Sequence, residues 1–153
     1  MPLPDGLLVA WYGDDFTGSA AVMEVLAFAG LPAVLFLEVP TAERLAGFGD
    51  LRGIGIASTA RAHGTAWMDA ELPGAFRTLA ALGAPVTHYK MCSTLDSSPE
   101  TGSVGRAIDL ALDVIPSEWT PVLVAGRRCG VTRRSETSSP RARVASAGST
   151  GTR

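Results

Sequence analysis

Two adjacent acids, Asp14 and Asp15, stand between an apolar run, Leu7 to Tyr12, and a run that reads as helix, Ala20 to Ala29. Neighbouring carboxylates repel each other unless a cation, a metal ion or hydroxyl donors face them. The pair therefore points to a polar or metal-bearing ligand, or, more plainly, to one Asp capping the helix while the other is solvated. Further along, Arg61 lies in the polar loop Ser58 to Gly64, and Lys90 closes on the cluster Cys92-Ser93-Thr94-Leu95-Asp96. Two acids, a guanidinium, an ammonium and several hydroxyls make a receptor for a small polyhydroxylated anion. Arg61 can clamp a carboxylate in its fork, Lys90 supplies a point charge, and Ser93, Thr94 and the acids meet hydroxyls. Asp14 or Asp15 can also take the proton of a substrate hydroxyl, as phosphoryl transfer requires. Each residue alone has a plainer reading: Lys90 as a solvated strand end, Arg61 as half of a surface ion pair, Ser93-Thr94 as a helix cap. Cys92 reads as a partly buried, inert thiol, His63 as a loop residue without a paired ligand, and His88 as structural.

What brings these positions together is the order of elements. Leu7 to Tyr12 suits a strand buried on both faces of a parallel sheet. Thr17 is placed to cap the helix that follows, and Gly13 and Gly18 allow a sharp turn before it. Gly30-Leu31-Pro32 stops that helix, and Ala33 to Leu37 reads as a second strand. Thr41 caps a short helix through Ala46, and Gly53 to Ser58 is a third strand. Thr65 to Leu82 has apolar residues near helical spacing, with Pro73-Gly74 expected to kink it or divide it in two. Pro85 to Met91 gives a fourth strand, Ser103 to Val114 a helix, and Pro121 to Ala125 the start of a fifth strand. No two strands are joined by a hairpin signal, so the fold class is α/β: a Rossmann-like open, mainly parallel sheet covered by helices and incomplete at its carboxyl-terminal edge. Right-handed crossovers place the ends of strands one, three and four on one edge, where Asp14, Asp15, Arg61, Lys90 and the Ser93–Asp96 cluster can meet. Trp11, Trp67, Phe76 and Trp119 read as core or cover.

The chain of 153 residues is 46% hydrophobic and has no apolar run of membrane-spanning length. Its first residues lack a basic region and a signal-peptide core, and its two cysteines, Cys92 and Cys129, have no metal-ligand partner at a recognisable spacing. A reduced, cytoplasmic chain without a bound metal is the expectation. The net charge of −2 hides an asymmetry: six Lys/Arg face fourteen Asp/Glu up to Gly126, and seven Arg face one Glu beyond it. From Gly126 onward there is no aromatic residue, Leu or Ile. Residues 1–125 thus read as the folded domain and 126–153 as a basic tail too poor in apolar surface to offset the cost of ordering. Phosphate neutralisation by such a tail would bind nucleic acid, but without interleaved aromatics or a fold the composition argues against that partner.

Other α/β readings fail on particular residues. The first turn lacks the fuller glycine fingerprint of a dinucleotide-binding domain, and no P-loop occurs. A receiver domain would carry a phospho-accepting Asp after the third strand, where this chain has Ser58, Thr59 and Arg61.

Three motifs in order, Gly13-Asp14-Asp15-Phe16-Thr17-Gly18-Ser19, Ser58-Thr59-Ala60-Arg61, and Tyr89-Lys90-Met91-Cys92-Ser93-Thr94-Leu95-Asp96-Ser97-Ser98-Pro99, resemble the amino-terminal sugar-binding domain of the four-carbon acid sugar kinases. The resemblance runs from about Leu7 to Ala125. It implies phosphorylation of a tetronate or 3-oxo-tetronate by ATP, with Mg, and substrate contacts from Asp14, Asp15, Arg61, Lys90, Cys92, Ser93 and Thr94. Ser103 departs from the family's Gly-Asn-Ile-Gly stretch, here Gly102-Ser103-Val104-Gly105. The family's separate nucleotide domain has no counterpart in these residues, so the expectation is a truncated substrate-binding domain, inactive by itself, with an aberrant or out-of-frame tail. A non-catalytic small-anion binding module and a defective product without a folded site remain open as alternatives.

Overall fold

The structure, a computed structural model, describes residues 3–123. Contacts divide the chain after Ile115, and the unit beginning at Pro116 has no helix or strand among its described residues. In the first unit, β1 (Val9–Gly13), β2 (Ala33–Phe36), β3 (Gly53–Ala57) and β4 (Val86–Lys90) alternate with α1 (Phe16–Phe28), α2 (Ala42–Ala46), α3 (Thr65–Ala81) and α4 (Val104–Val114). A 3-10 turn, Ala60–Ala62, follows β3. The four strands form one sheet in the order β2-β3-β1-β4, and every pairing is parallel. The expected open parallel α/β sheet is therefore present. Pro121 to Leu123 form no strand, and the rest of the expected fifth strand and the whole basic tail lie outside the described residues.

Successive side chains of a strand point to opposite faces, and β1 shows what each face is for. Ala10 and Tyr12 join Ile56 of β3 in a core with Met68, Leu72, Ala75, Phe76 and Leu79 of α3 and Ala107 and Leu110 of α4. Tyr12 lies edge-on to Phe76 and stacks on Tyr89 of β4, with ring centroids 5.7 and 5.9 Å away. Full burial of each such side chain is worth roughly 1.5–3 kcal/mol, so this face carries most of the stability. That explains Pro73. The residue was expected to kink or divide α3, yet α3 is one helix of 17 residues with Pro73 inside it. An interior proline costs about 3 kcal/mol, less than the five buried side chains that a continuous α3 presents to the sheet. Arg106 of α4 ties the pair of helices by donating to Asp69 of α3 at 2.6 Å.

On the opposite face, Trp11 is fully buried and α1 covers it. Its indole lies across β3 where Gly53 and Gly55 carry no side chain: a Cβ on Gly55 would stand 2.0 Å from Trp11 Cε2. The indole Nε1 donates to Ser19 O in the first turn of α1 at 3.2 Å. Trp119, expected to be core or cover, is 64% exposed, in a stretch without helix or strand among its described residues.

The chain leaves β1 toward β2 on one side and leaves β3 toward β4 on the other, so the connections diverge about β1. In open α/β sheets the crevice beyond the strands' carboxyl ends at such a point is where ligands bind. Asp14 and Asp15 follow β1 directly.

Candidate functional site

Helix α1 begins two residues earlier than its first turn of small residues suggests. Its N-cap is Asp15, not Thr17: Asp15 has extended backbone, and its Oδ1 accepts from Gly18 N at 2.6 Å. The reason lies in the close approach of helix and strand. A Cβ on Gly13 would fall 1.8 Å from Ser19 Oγ, and that hydroxyl donates to Asp15 O at 2.5 Å. With the helix drawn up against the end of β1, only the residue directly after Asp14 is placed to cap it. Thr17 is left exposed inside the first turn.

Asp14 is held by its main chain. Its N–H donates to Lys90 O at 3.1 Å and its carbonyl accepts from Arg61 N at 3.2 Å, so the end of β4 and the 3-10 turn after β3 grip it from both sides. The side chain is 4% exposed, and Oδ1 is buried with no hydrogen-bond partner among the described residues. Burial, joined by the neighbouring Asp15 charge, pushes the Asp14 carboxyl above its ordinary value, against the lowering effect of the Cys92 backbone amide, Arg61 and Lys90. Asp15 moves the other way. Burial raises it, but hydrogen bonds from the Cys92 thiol, the Gly18 amide and Arg61 outweigh that and hold it below the usual carboxylate range.

Arg61 is the hub. Its Nη1 donates to Asp15 Oδ2 at 3.3 Å and to Cys92 Sγ at 2.7 Å, and its Nη2 donates to Thr94 Oγ1 at 2.9 Å and to Asp96 Oδ2. Thr94 Oγ1 also donates to Asp96 Oδ2 at 2.9 Å. The loop that brings Thr94 and Asp96 there turns through Leu95, whose φ of 57° is in the left-handed region. It returns to Gly102, also left-handed, where a Cβ would stand 2.5 Å from Arg61 O. A side chain at Gly102 would push the Arg61 backbone away. Asp14, Arg61, Met91, Cys92, Leu95, Asp96, Ser97, Gly102 and Val104 line a small cleft beside the guanidinium.

Of the seven residues singled out from sequence, Asp14, Asp15, Arg61, Cys92 and Thr94 converge. Lys90 is adjacent but turned toward α1: its Nζ donates to Met91 O at 2.6 Å and lies 3.3 Å from where a Cβ on Gly18 would be. Ser93 is exposed and makes no side-chain hydrogen bond to the described residues. Neither Ser93 nor Thr94 caps a helix; Ser103 caps α4, its hydroxyl accepting from Arg106 N at 3.2 Å. His63 stacks on Trp67 with centroids 4.1 Å apart, and its Nε2 is 3.0 Å from Thr59 Oγ1. His88 sits on the edge strand β4. Asp96 is the partner whose role the sequence left unassigned: its acid type was visible, its pairing with a residue 35 positions away was not.

The N-terminus of α1 is a natural seat for a phosphate, and the Asp15 carboxylate already fills it. Among the described residues no three His, Cys, Asp or Glu side chains stand close enough to share a metal ion, and no helix is long and apolar enough to cross a membrane.

Residues 9–134 match the family model described as the sugar-binding N-terminal domain. The chain is 53% identical over 125 residues to the 3-oxo-isoapionate kinase of Paraburkholderia graminis, covering 82% of this chain and 27% of that protein. It is 32% identical over 113 residues to the 3-oxo-tetronate kinase of Pseudomonas savastanoi pv. phaseolicola, covering 74% of this chain and 26% of that one. A crystal structure from Salmonella typhimurium LT2, named provisionally for a tRNA synthase, superposes with a TM-score of 0.67 at 25% identity over 76% of this chain and 27% of its own. The chain spans about a quarter of the length of the curated relatives it matches. With its sheet, its motifs and these matches in agreement, the chain belongs to the family defined by the sugar-binding amino-terminal domain of the sugar kinases.

Proposed function

We propose that this domain binds a small acid sugar of the four-carbon, 3-oxo-tetronate kind, as substrate for phosphorylation by ATP with Mg. The observation that carries the reading is Arg61, whose Nη2 already holds a carboxylate, that of Asp96, beside a cleft also lined by Asp14 with its unpartnered Oδ1. A free acid can take the place of Asp96 on Nη2 with the same charge-assisted bonds, while its hydroxyls reach Asp14 and Thr94. Lys90 lends charge from the α1 side, and Cys92 and Ser93 complete the rim. When bound, ATP supplies the phosphoryl group. The α1 N-terminus is taken by Asp15, and the reading places the triphosphate on residues other than those described and takes residues 1–125 as inactive as a kinase by themselves. The same reading takes the protein as cytoplasmic, without a nucleic-acid partner, and takes 126–153 as a basic tail that is no part of the site.

Thermal unfolding of the purified chain with and without millimolar threonate, erythronate and their 3-oxo forms tests this. A ligand at about 100 times its Kd stabilises the folded state by about 2.7 kcal/mol, a shift of several degrees. An upward shift with an acid sugar, independent of ATP, supports the reading. A cooperative transition that none of them moves overturns it.

A further inference from the structure

We infer that the two neighbouring acids do different work: Asp14 is the carboxyl that meets a ligand hydroxyl, and Asp15 is a positioning residue that sets Arg61 and the first turn of α1 and does not touch the ligand. The inference rests on the acid-sugar reading and sharpens it. Both carboxylate oxygens of Asp15 and its backbone carbonyl already accept within the chain. Oδ1 caps Gly18 N at 2.6 Å, Oδ2 takes Arg61 Nη1 at 3.3 Å, and the backbone carbonyl takes both the Ser19 hydroxyl and the Ser19 amide. Gly18 is fitted to that cap, since a Cβ there would stand 2.5 Å from Asp15 Oδ1. To reach a ligand, Asp15 would have to release the helix or the guanidinium.

Asp14 is the reverse case. Its main chain is pinned between β4 and the 3-10 turn after β3, the residue is 4% exposed, it lines the cleft, and its Oδ1 has no hydrogen-bond partner among the described residues. A buried polar atom without a partner is destabilising, and a ligand hydroxyl donating to Oδ1 removes that penalty. Burial of this carboxyl also favours its accepting a proton.

The two roles separate by the ligand group each one touches. Asp14 acts on a hydroxyl, so Asp14→Asn should weaken threonate and the neutral polyol threitol alike, by tenfold or more. Asp15 acts through Arg61 on the carboxylate, so Asp15→Asn should weaken threonate severalfold and leave threitol unchanged. Ligand-detected NMR titration of the whole chain reads both. The melting temperature supplies a ligand-independent check: Asp15→Asn should lower it by weakening the Arg61 pairing, and Asp14→Asn should leave it unchanged or raise it. Equal loss of threitol in the two variants, or wild-type binding by Asp14→Asn, overturns the division. If the wild-type chain binds neither probe, the acid-sugar reading fails, and the melting temperatures still decide: Asp15→Asn at least as stable as Asp14→Asn overturns the division as well.

Discussion

On one face of the sheet, α3 and α4 bury Met68, Leu72, Phe76 and Leu79 to 2% exposure or less; on the other, α1 buries only Ser19 and leaves Val25 and Phe28 69% and 85% exposed. All three helices carry apolar residues, yet only α3 and α4 convert them into a core. Helix α1 is held at its first turn, by the Trp11 indole, the Asp15 cap and the Ser19 hydroxyl. The fold is thus secured by one face, while the site is organised by a few polar hooks on the other. This division lets Asp15 and Arg61 be positioned without the dry packing that would exclude a polar ligand.

The largest expected effect breaks the comparison on its strong side. Phe76→Ala removes a ring that is 2% exposed and touches both Tyr12 and Tyr89. Truncations of this kind cost about 3–5 kcal/mol, a large share of the 5–15 kcal/mol of a typical domain. Urea denaturation followed by far-UV circular dichroism should show the midpoint collapse. A loss under about 1 kcal/mol would mean that the α3 face is not where the stability resides.

The strong face was also the legible one. Trp67, Met68, Leu72, Phe76 and Leu79 recur at helical spacing, so the pattern and the buried stripe coincide; α4 is similar, with Ser103 capping it. The expectation of a break at Pro73 weighed a local cost without the tertiary burial that exceeds it. The start of α1 was less legible, because Asp15 and Thr17 are both good cap residues. Only the approach of Ser19 to Gly13 chooses between them. The convergence of Asp14, Arg61 and the Cys92–Asp96 loop was expected from the alternation of strands and helices with right-handed crossovers. Which of two adjacent acids is buried, and that Arg61 pairs with Asp96, depend on turn geometry and on contacts distant in sequence, which periodicity does not encode.

A smaller effect sharpens the comparison through two glycines. Gly55 lies under the Trp11 indole, and Gly74 is inside α3 with open space where its Cβ would be. Gly55→Ala must displace a ring that is fully buried, an overpacking that costs about 1–3 kcal/mol. Gly74→Ala relieves the helix of its most flexible residue and should gain about 0.5–1 kcal/mol. Thermal denaturation of the two variants should therefore move in opposite directions. A red shift of tryptophan emission in Gly55→Ala alone would mark the loosening of Trp11. If both lower the melting temperature equally, the contrast between a glycine required by packing and one merely tolerated fails.

The smallest effect is expected where α1 faces outward. Phe28 is 85% exposed at the end of a helix with no basic residue in its last turn. Phe28→Lys removes little packing and places a cation at the negative end of the helix dipole, worth about 0.3–1 kcal/mol in its favour. Set against the minor loss of contact, the net change should stay within about 0.5 kcal/mol, as for surface substitutions generally. Chemical denaturation of Phe28→Lys and wild type side by side measures it. A destabilisation above about 2 kcal/mol would mean that Phe28 is buried in solution, and that the outer face of α1 is as much a core as the face of α3.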